Sequence, residues 1–187
     1  MGDHSKYTIF ILTLFFASIS LGREIFVDNQ LADDCIGNYS IANRDCSGSD
    51  GDAYNTPQEA ADIVNPGDIV YFRAGTYYEH EDLLDATPVM AVLRSGTSGS
   101  PITFMNYNNE EVVLSAMRPE DNGHAFAVRL GVAPSSSKDV SGSGVTDIII
   151  DGLIIEGAYS VGLRICGEAN QSGTAVYPSR RIIIETA

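Results

Sequence analysis

Few side chains in this sequence have both the type and the spacing that chemistry needs. Glu79, Glu81, Asp82 and Asp85 cluster around His80 and supply the oxygen ligands a calcium ion takes. A solvated acidic loop is the preferred reading of the same residues. Asp147, Asp151 and Glu156 flank successive apolar runs and could face one groove. Asp151-Gly152 is also turn chemistry, which gives a structural reading of that set. Arg73, Arg129 and Arg164 lie on or beside alternating apolar runs. Their guanidinium forks match carboxylates, with local Asp or Glu as the preferred partners. Lys138 has the chemistry of a base but stands in a Ser-rich stretch, which reads as a solvated loop. His124 has no evident partner, so neither a Ser-His-Asp triad nor a two-His metal pair can be argued. Asp50-Gly51-Asp52 lacks the remaining ligand spacing and terminal Glu of an EF-hand loop and reads as a turn.

The elements that must position these residues are short strands. Ile69-Val70-Tyr71, Ile102-Thr103-Phe104, Ile148-Ile149-Ile150 and Ile182-Ile183-Ile184 recur at roughly 33-residue spacing, with one longer gap. That gap holds the insertion from Ala133 to Gly144, rich in Ser and Gly. Alternate residues of a strand share a face, so the expected inward ladder is Ile69/Tyr71, Ile102/Phe104, Ile148/Ile150 and Ile182/Ile184. Further short apolar runs, separated by glycine-marked corners, give three strands per period. The expected fold is all-β: a right-handed parallel β-helix with three short strands per coil. An antiparallel sandwich is the competing fold, and the long period argues against it. A dinucleotide-binding fold fails, because Gly142-x-Gly144 precedes a strand and lacks the third glycine.

One helix is expected, over Thr56 to Val64. Thr56 can cap it, Pro57 suits the first helical position and Glu59 completes a capping box. Asn65-Pro66-Gly67 ends it, and its apolar face is expected to cap the stacked strands. Residues 1–22 have the pattern of a signal peptide: Lys6, an apolar run from Tyr7 to Phe16, then small residues. An uncleaved anchor is the alternative, although the run is short for a membrane span. The expected organisation is a leader at 1–22, an N-terminal strand, loop and capping helix at 23–68, and coils at 69–187.

In a secreted chain Cys35 and Cys46 read as a local disulfide; in a reducing compartment they would be two thiols. Closing a loop of about 10 residues stabilises by a little under 3 kcal/mol in the chain-entropy model. Cys166 reads as a small buried apolar residue. Asn38-Tyr39-Ser40 and Asn170-Gln171-Ser172 are glycosylation acceptors in a eukaryotic host.

The 187 residues carry a formal charge of -14, from 25 acids against 11 bases. That argues against nucleic acid, whose phosphates need a basic surface. It fits an extracellular protein with no membrane span after leader cleavage. Eighteen glycines, with 44% hydrophobic residues, suit a turn-dense β protein that can still build a core.

Phe26-Val27-Asp28, Gln58-Glu59-Ala60-Ala61, Pro66 to Tyr71, Arg73 to Tyr77 and Ser100 to Phe104 together resemble the N-terminal part of secreted β-helix proteins of the pectate-lyase-like superfamily. The resemblance covers residues 25 to about 107 well and the later coils loosely. It is specific for the fold and poor for activity. What it implies is β-elimination on an acidic polysaccharide, with a cation, often calcium, on the uronate and a Lys or Arg as base. No catalytic motif of the family can be carried over, and no cofactor is evident in this chain. Ile182 to Ile184 would be an uncapped edge strand, so the chain is expected to be part of a longer protein and inactive alone. A non-catalytic adhesin or glycan-binding surface protein is the second expectation.

Overall fold

The computed structural model describes residues 22–78, 88–117, 127–132, 144–158, 161–169, 175–177 and 180–185. The leader expected over 1–22 falls outside them except for Gly22, as do Glu79, His80, Glu81, Asp82, Asp85, His124, Lys138 and the Asn170 acceptor. Among the described residues no helix is long and apolar enough to cross a membrane.

The chain opens with β1 (Glu24–Val27), β2 (Asp52–Tyr54) and α1 (Pro57–Ile63). Three strand triplets follow. The first is β3 (Ile69–Phe72), β4 (Gly75–Tyr77) and β5 (Met90–Val92). The second is β6 (Ile102–Asn106), β7 (Val112–Ser115) and β8 (Val128–Leu130). The third is β9 (Thr146–Asp151), β10 (Ile154–Glu156) and β11 (Leu163–Ile165). A small antiparallel pair, β12 (Glu168–Ala169) and β13 (Ala175–Tyr177), precedes β14 (Arg180–Glu185).

Each triplet sends one strand to each of three parallel sheets. The main sheet has the order β14-β9-β6-β3-β1-β2, the second β10-β7-β4 and the third β11-β8-β5. The architecture is thus all-β, mostly parallel, with one short helix. Parallel pairing needs a crossover between neighbours; here the other two strands of each triplet supply it.

The three sheets share one core. Val70, Phe72, Phe104, Ile150, Leu114, Val128 and Leu130 are all buried in it. Burying each such side chain contributes about 1.5–3 kcal/mol. Register defines the inward rows: Val70 lies beside Phe104 and Phe104 beside Ile150, while Ile102 lies beside Ile148. Ile182 and Ile184 continue these rows beside Ile148 and Ile150. Ile182 packs against the core, whereas Ile184 is exposed on the outer strand of the sheet.

The expected first rung, Ile69/Tyr71, needs correction. Ile69 pairs with Thr103 and Tyr71 with Met105 on the outer face, and Val70 and Phe72 turn inward. All four residues of β3 are apolar or aromatic, because this strand has a covered face on both sides. Its outer face meets a second cluster of Phe26, Cys35, Tyr39 and Ala53, against which Tyr71 and Tyr107 pack. The polar loop after β1 therefore folds back over the main sheet instead of leading away from it.

Helix α1 starts as its sequence dictates: Thr56 is extended and its hydroxyl accepts from the Glu59 N–H. Ala60, Ala61 and Val64 join the main core. The Gln58 side chain lies along β5, accepting from Ala91 N–H at 2.8 Å and donating to Ala91 C=O at 3.2 Å. Since β5 is the edge of the third sheet, this amide stands where a neighbouring strand would pair.

Candidate functional site

The strongest electrostatic feature holds the loop down. Asp28, directly after β1, is fully buried. Arg44 grips its two oxygens at 2.9 and 2.6 Å, and the Tyr39 hydroxyl donates to it at 2.6 Å. The Arg73 guanidinium donates to the Tyr39 oxygen at 2.9 Å and forks onto Glu110, which also accepts from the Ala74 N–H. Arg73 also lies over the Tyr107 ring, 5.0 Å from its centre. Burial pushes the Asp28 and Glu110 carboxyls up, but their hydrogen bonds outweigh it and hold both below the usual range. Burial, and then its bond to Asp28, pushes the Tyr39 hydroxyl up. Every member is satisfied by another, so the network is structural. Arg73 is thus paired locally, with Glu110.

The Cys35–Cys46 disulfide ties the same loop, with Cα atoms 5.1 Å apart. Such a bond persists in an oxidising compartment. Asp50 accepts from Ile41 N–H and Asp52 from Gly37 N–H, so Asp50-Gly51-Asp52 is a turn whose carboxylates serve backbone donors. Asn38 is exposed and donates to Cys46 C=O. Cys166 is buried directly after β11, its N–H donating to Leu130 C=O.

Among the described residues, two places carry polar groups that their neighbours leave unbonded: the Arg129 Nε and the side chains around one cleft. The first is on the outer face of the third sheet. Arg129 of β8 and Arg164 of β11 are direct partners in the parallel register, and adjacent strands lie about 4.8 Å apart. Val128 and Leu130 on either side point into the core, so the Arg129 side chain points out. Arg129 is half-buried, and its Nε is buried without a hydrogen-bond partner. A guanidinium with a buried unbonded N–H is costly, and an anion oxygen accepting from the Arg129 Nε would answer that cost.

The second is a cleft of about 300 Å³ on the outer face of the main sheet. The outer row there runs Phe26, Tyr71, Met105, Asp151, Glu185 from strand to strand. Tyr71 stacks on Phe26 with ring centres 5.7 Å apart, which closes one of its faces. Tyr71 and Met105 form an apolar wall, Asp151 continues the same row beside Met105, and Asn108 and Asn109 rise from the turn between β6 and β7. Both asparagines are left-handed, with φ of 48° and 58°, and Glu110 N–H closes the turn onto Tyr107 C=O at 2.9 Å. Asn and Asp tolerate that conformation better than other side chains.

The three acids singled out by sequence do not converge. Asp147, at the start of β9, is left-handed, buried and ion-paired to Arg181. Asp151, at the end of the same strand, lines the cleft. Glu156 lies on β10 in the second sheet and is exposed. Among the described residues no three His, Cys, Asp or Glu side chains form a metal-holding group. Sequence reasoning passed over Tyr71 as a site residue by assigning it to the core, and over Asn108-Asn109, whose dipeptide between two strand runs was the available turn signal.

No model of a known protein family matches this sequence, and no solved structure matches it. Residues over 63% of the chain are 29% identical, across 117 residues, to a Bacillus subtilis (strain 168) protein described as the uncharacterized protein YwoF. The match spans 22% of that relative's length, so the chain is similar to a minor part of a much longer protein.

Proposed function

We propose that this chain belongs to an extracellular right-handed parallel β-helix protein, similar to the pectate-lyase-like superfamily, that engages an acidic polysaccharide. Repeated delivery of consecutive strands to three parallel sheets supports the helix. Right-handedness follows from the near-universal hand of parallel crossovers. The disulfide supports an oxidising, extracellular setting.

The observation that carries the ligand class is the buried, unbonded Nε of Arg129 on the outer face of the third sheet, beside Arg164 in the register. A guanidinium fork suits carboxylates, and uronate residues repeat them along a chain. With a formal charge of -14 the protein as a whole repels such a ligand, so affinity has to come from this local site and from any bridging cation. Elimination needs, beside an arginine base, cation-holding acids that the described residues do not bring to this face. Binding is therefore the activity proposed for them, and the superfamily's lyase chemistry is the extension of the same reading. A glycan-binding surface protein without turnover is the second reading, favoured by the same lack of convergence among Asp147, Asp151 and Glu156.

The test is affinity for polygalacturonate, alginate and chondroitin, each with calcium and with chelator, alongside ultraviolet absorbance of the double bond that elimination creates. Binding to at least one polyuronate, weakened about tenfold in the Arg129→Gln, Arg164→Gln double variant, is expected. No unsaturated product is expected from these 187 residues. Undiminished binding by the double variant would overturn the site, and metal-dependent product would overturn the assignment of binding alone.

A further inference from the structure

We infer that the cleft on the outer face of β3, β6 and β9 binds a neutral, hydroxyl-rich saccharide. This site is independent of the arginine pair, which lies on a different sheet.

The cleft, of about 300 Å³, is at the lower end of ligand pockets, a size for one sugar unit of a chain. A pyranose has an apolar C–H face and a rim of hydroxyls. Tyr71 and Met105 offer the apolar wall, and Tyr71 is held upright because Phe26 stacks on one side and Tyr107 meets its edge at 5.7 Å. Beside Met105 in the same row, the Asp151 carboxylate makes no hydrogen bond or ion pair with the described residues, so both oxygens are available to accept from neighbouring hydroxyls. Asn108 and Asn109 likewise have uncommitted amides, each able to donate and accept. Their left-handed backbone and the closed turn fix them before any ligand arrives.

The floor is also built. Asn106 is only 8% exposed; its Nδ2 donates to Glu110 C=O at 2.9 Å. Its Oδ1 lies against Gly152, where an added Cβ would come within 2.5 Å of it. Gly152 has φ of +64°, so both the backbone and the space exclude a side chain there. Among the described residues no Lys, Arg or His lines the cleft. A uronate would bring its carboxylate toward Asp151 with nothing to neutralise either charge, so the preferred sugar is neutral.

The experiment titrates the disulfide-intact chain with neutral trisaccharides of glucose, galactose, mannose and xylose, in α- and β-linked forms, and with a galacturonate trisaccharide. Binding is read by calorimetry and by amide NMR shifts. At least one neutral trisaccharide is expected to bind with a Kd of about 1 mM or tighter, moving the amides of Asn108, Asn109 and Gly152. Asp151→Ala and Asn109→Gly are each expected to weaken it about tenfold, and Asn109→Gly keeps the left-handed turn. Glu156→Gln, at an exposed position of the second sheet, is expected to leave it unchanged. The inference is overturned if no neutral trisaccharide in the panel binds, if both cleft variants bind as wild type does, if galacturonate moves the Asn108, Asn109 and Gly152 amides at lower concentration than every neutral sugar, or if calcium alone produces the cleft shifts.

Discussion

Replacing Tyr39 by Phe keeps a fully buried ring in place and deletes one oxygen from the charge network. That oxygen donates to Asp28 at 2.6 Å and accepts from Arg73 at 2.9 Å. Hydrogen bonds to charged groups contribute about 1.5–3 kcal/mol each. Both partners keep other bonds: Asp28 those from Arg44 and Gln30 N–H, and Arg73 those to Glu110 and Ile41 C=O. The low end of the range therefore applies, and a total loss of about 2–3 kcal/mol is expected, or about 5–10 °C in Tm for a chain of this size. Tyr77→Phe is the comparison. Its hydroxyl is shared between the neutral Val27 and Arg73 carbonyls, at 2.9 and 2.8 Å, so about 1 kcal/mol is expected. Urea unfolding of both variants measures the difference. A Tyr39→Phe loss within about 0.5 kcal/mol of zero, or one smaller than that of Tyr77→Phe, would refute the claim that this network pins the loop.

Three further outcomes follow from the same contacts. Gln58→Ala strips the amide from both backbone groups of buried Ala91 and is expected to lower stability by about 1–3 kcal/mol by urea unfolding; no change would mean the β5 edge is satisfied otherwise. Replacing Cys35 and Cys46 together by Ala is expected to lose about 3 kcal/mol, with faster proteolysis between β1 and β2. Asp28, Asp68 and Glu110 have carboxyls that burial pushes up and that their bonds, from Arg44, Arg23 and Arg73 among others, pull further down. Their folded values lie below their unfolded ones, so their stabilisation is complete above about pH 4–5 and is lost as pH falls through the lower folded values. Urea midpoints should therefore fall steeply on the acid side of pH 4, and a maximum near pH 3 would contradict the sign.

The scaffold was legible in the sequence where a segment has one covered face. Ile102/Phe104 and Ile148/Ile150 alternate with less buried neighbours and occupy the inward rows. The capping residues of α1 were legible because Thr56 and Glu59 act within one turn. Ile69 to Phe72 misled because all four side chains are large and apolar, and period alone cannot choose the inward pair when a loop covers the other face. That loop is rich in Asp, Asn, Gly and Ser. Its Tyr39 and Cys35 are nevertheless buried, and no local pattern announces that Arg44 will reach Asp28 across 16 residues of sequence or Arg73 reach Tyr39 across 34. The Arg129–Arg164 pairing was invisible for the same reason: it depends on which residues of β8 and β11 share a register. The cleft joins side chains from β3, β9 and the β6–β7 turn, three places that only the stacking brings together.

The central claim is that Arg129 and Arg164 present an anion-binding face to an acidic glycan. The most direct measurement follows the arginine side-chain Nε–H signals by NMR as a galacturonate trisaccharide is added, with a neutral trisaccharide in parallel. A saturable shift of the Arg129 Nε–H, weakened by added salt and absent with the neutral sugar, is the predicted result. An Arg129 Nε–H that stays in place while the acidic sugar binds elsewhere on the chain would contradict it.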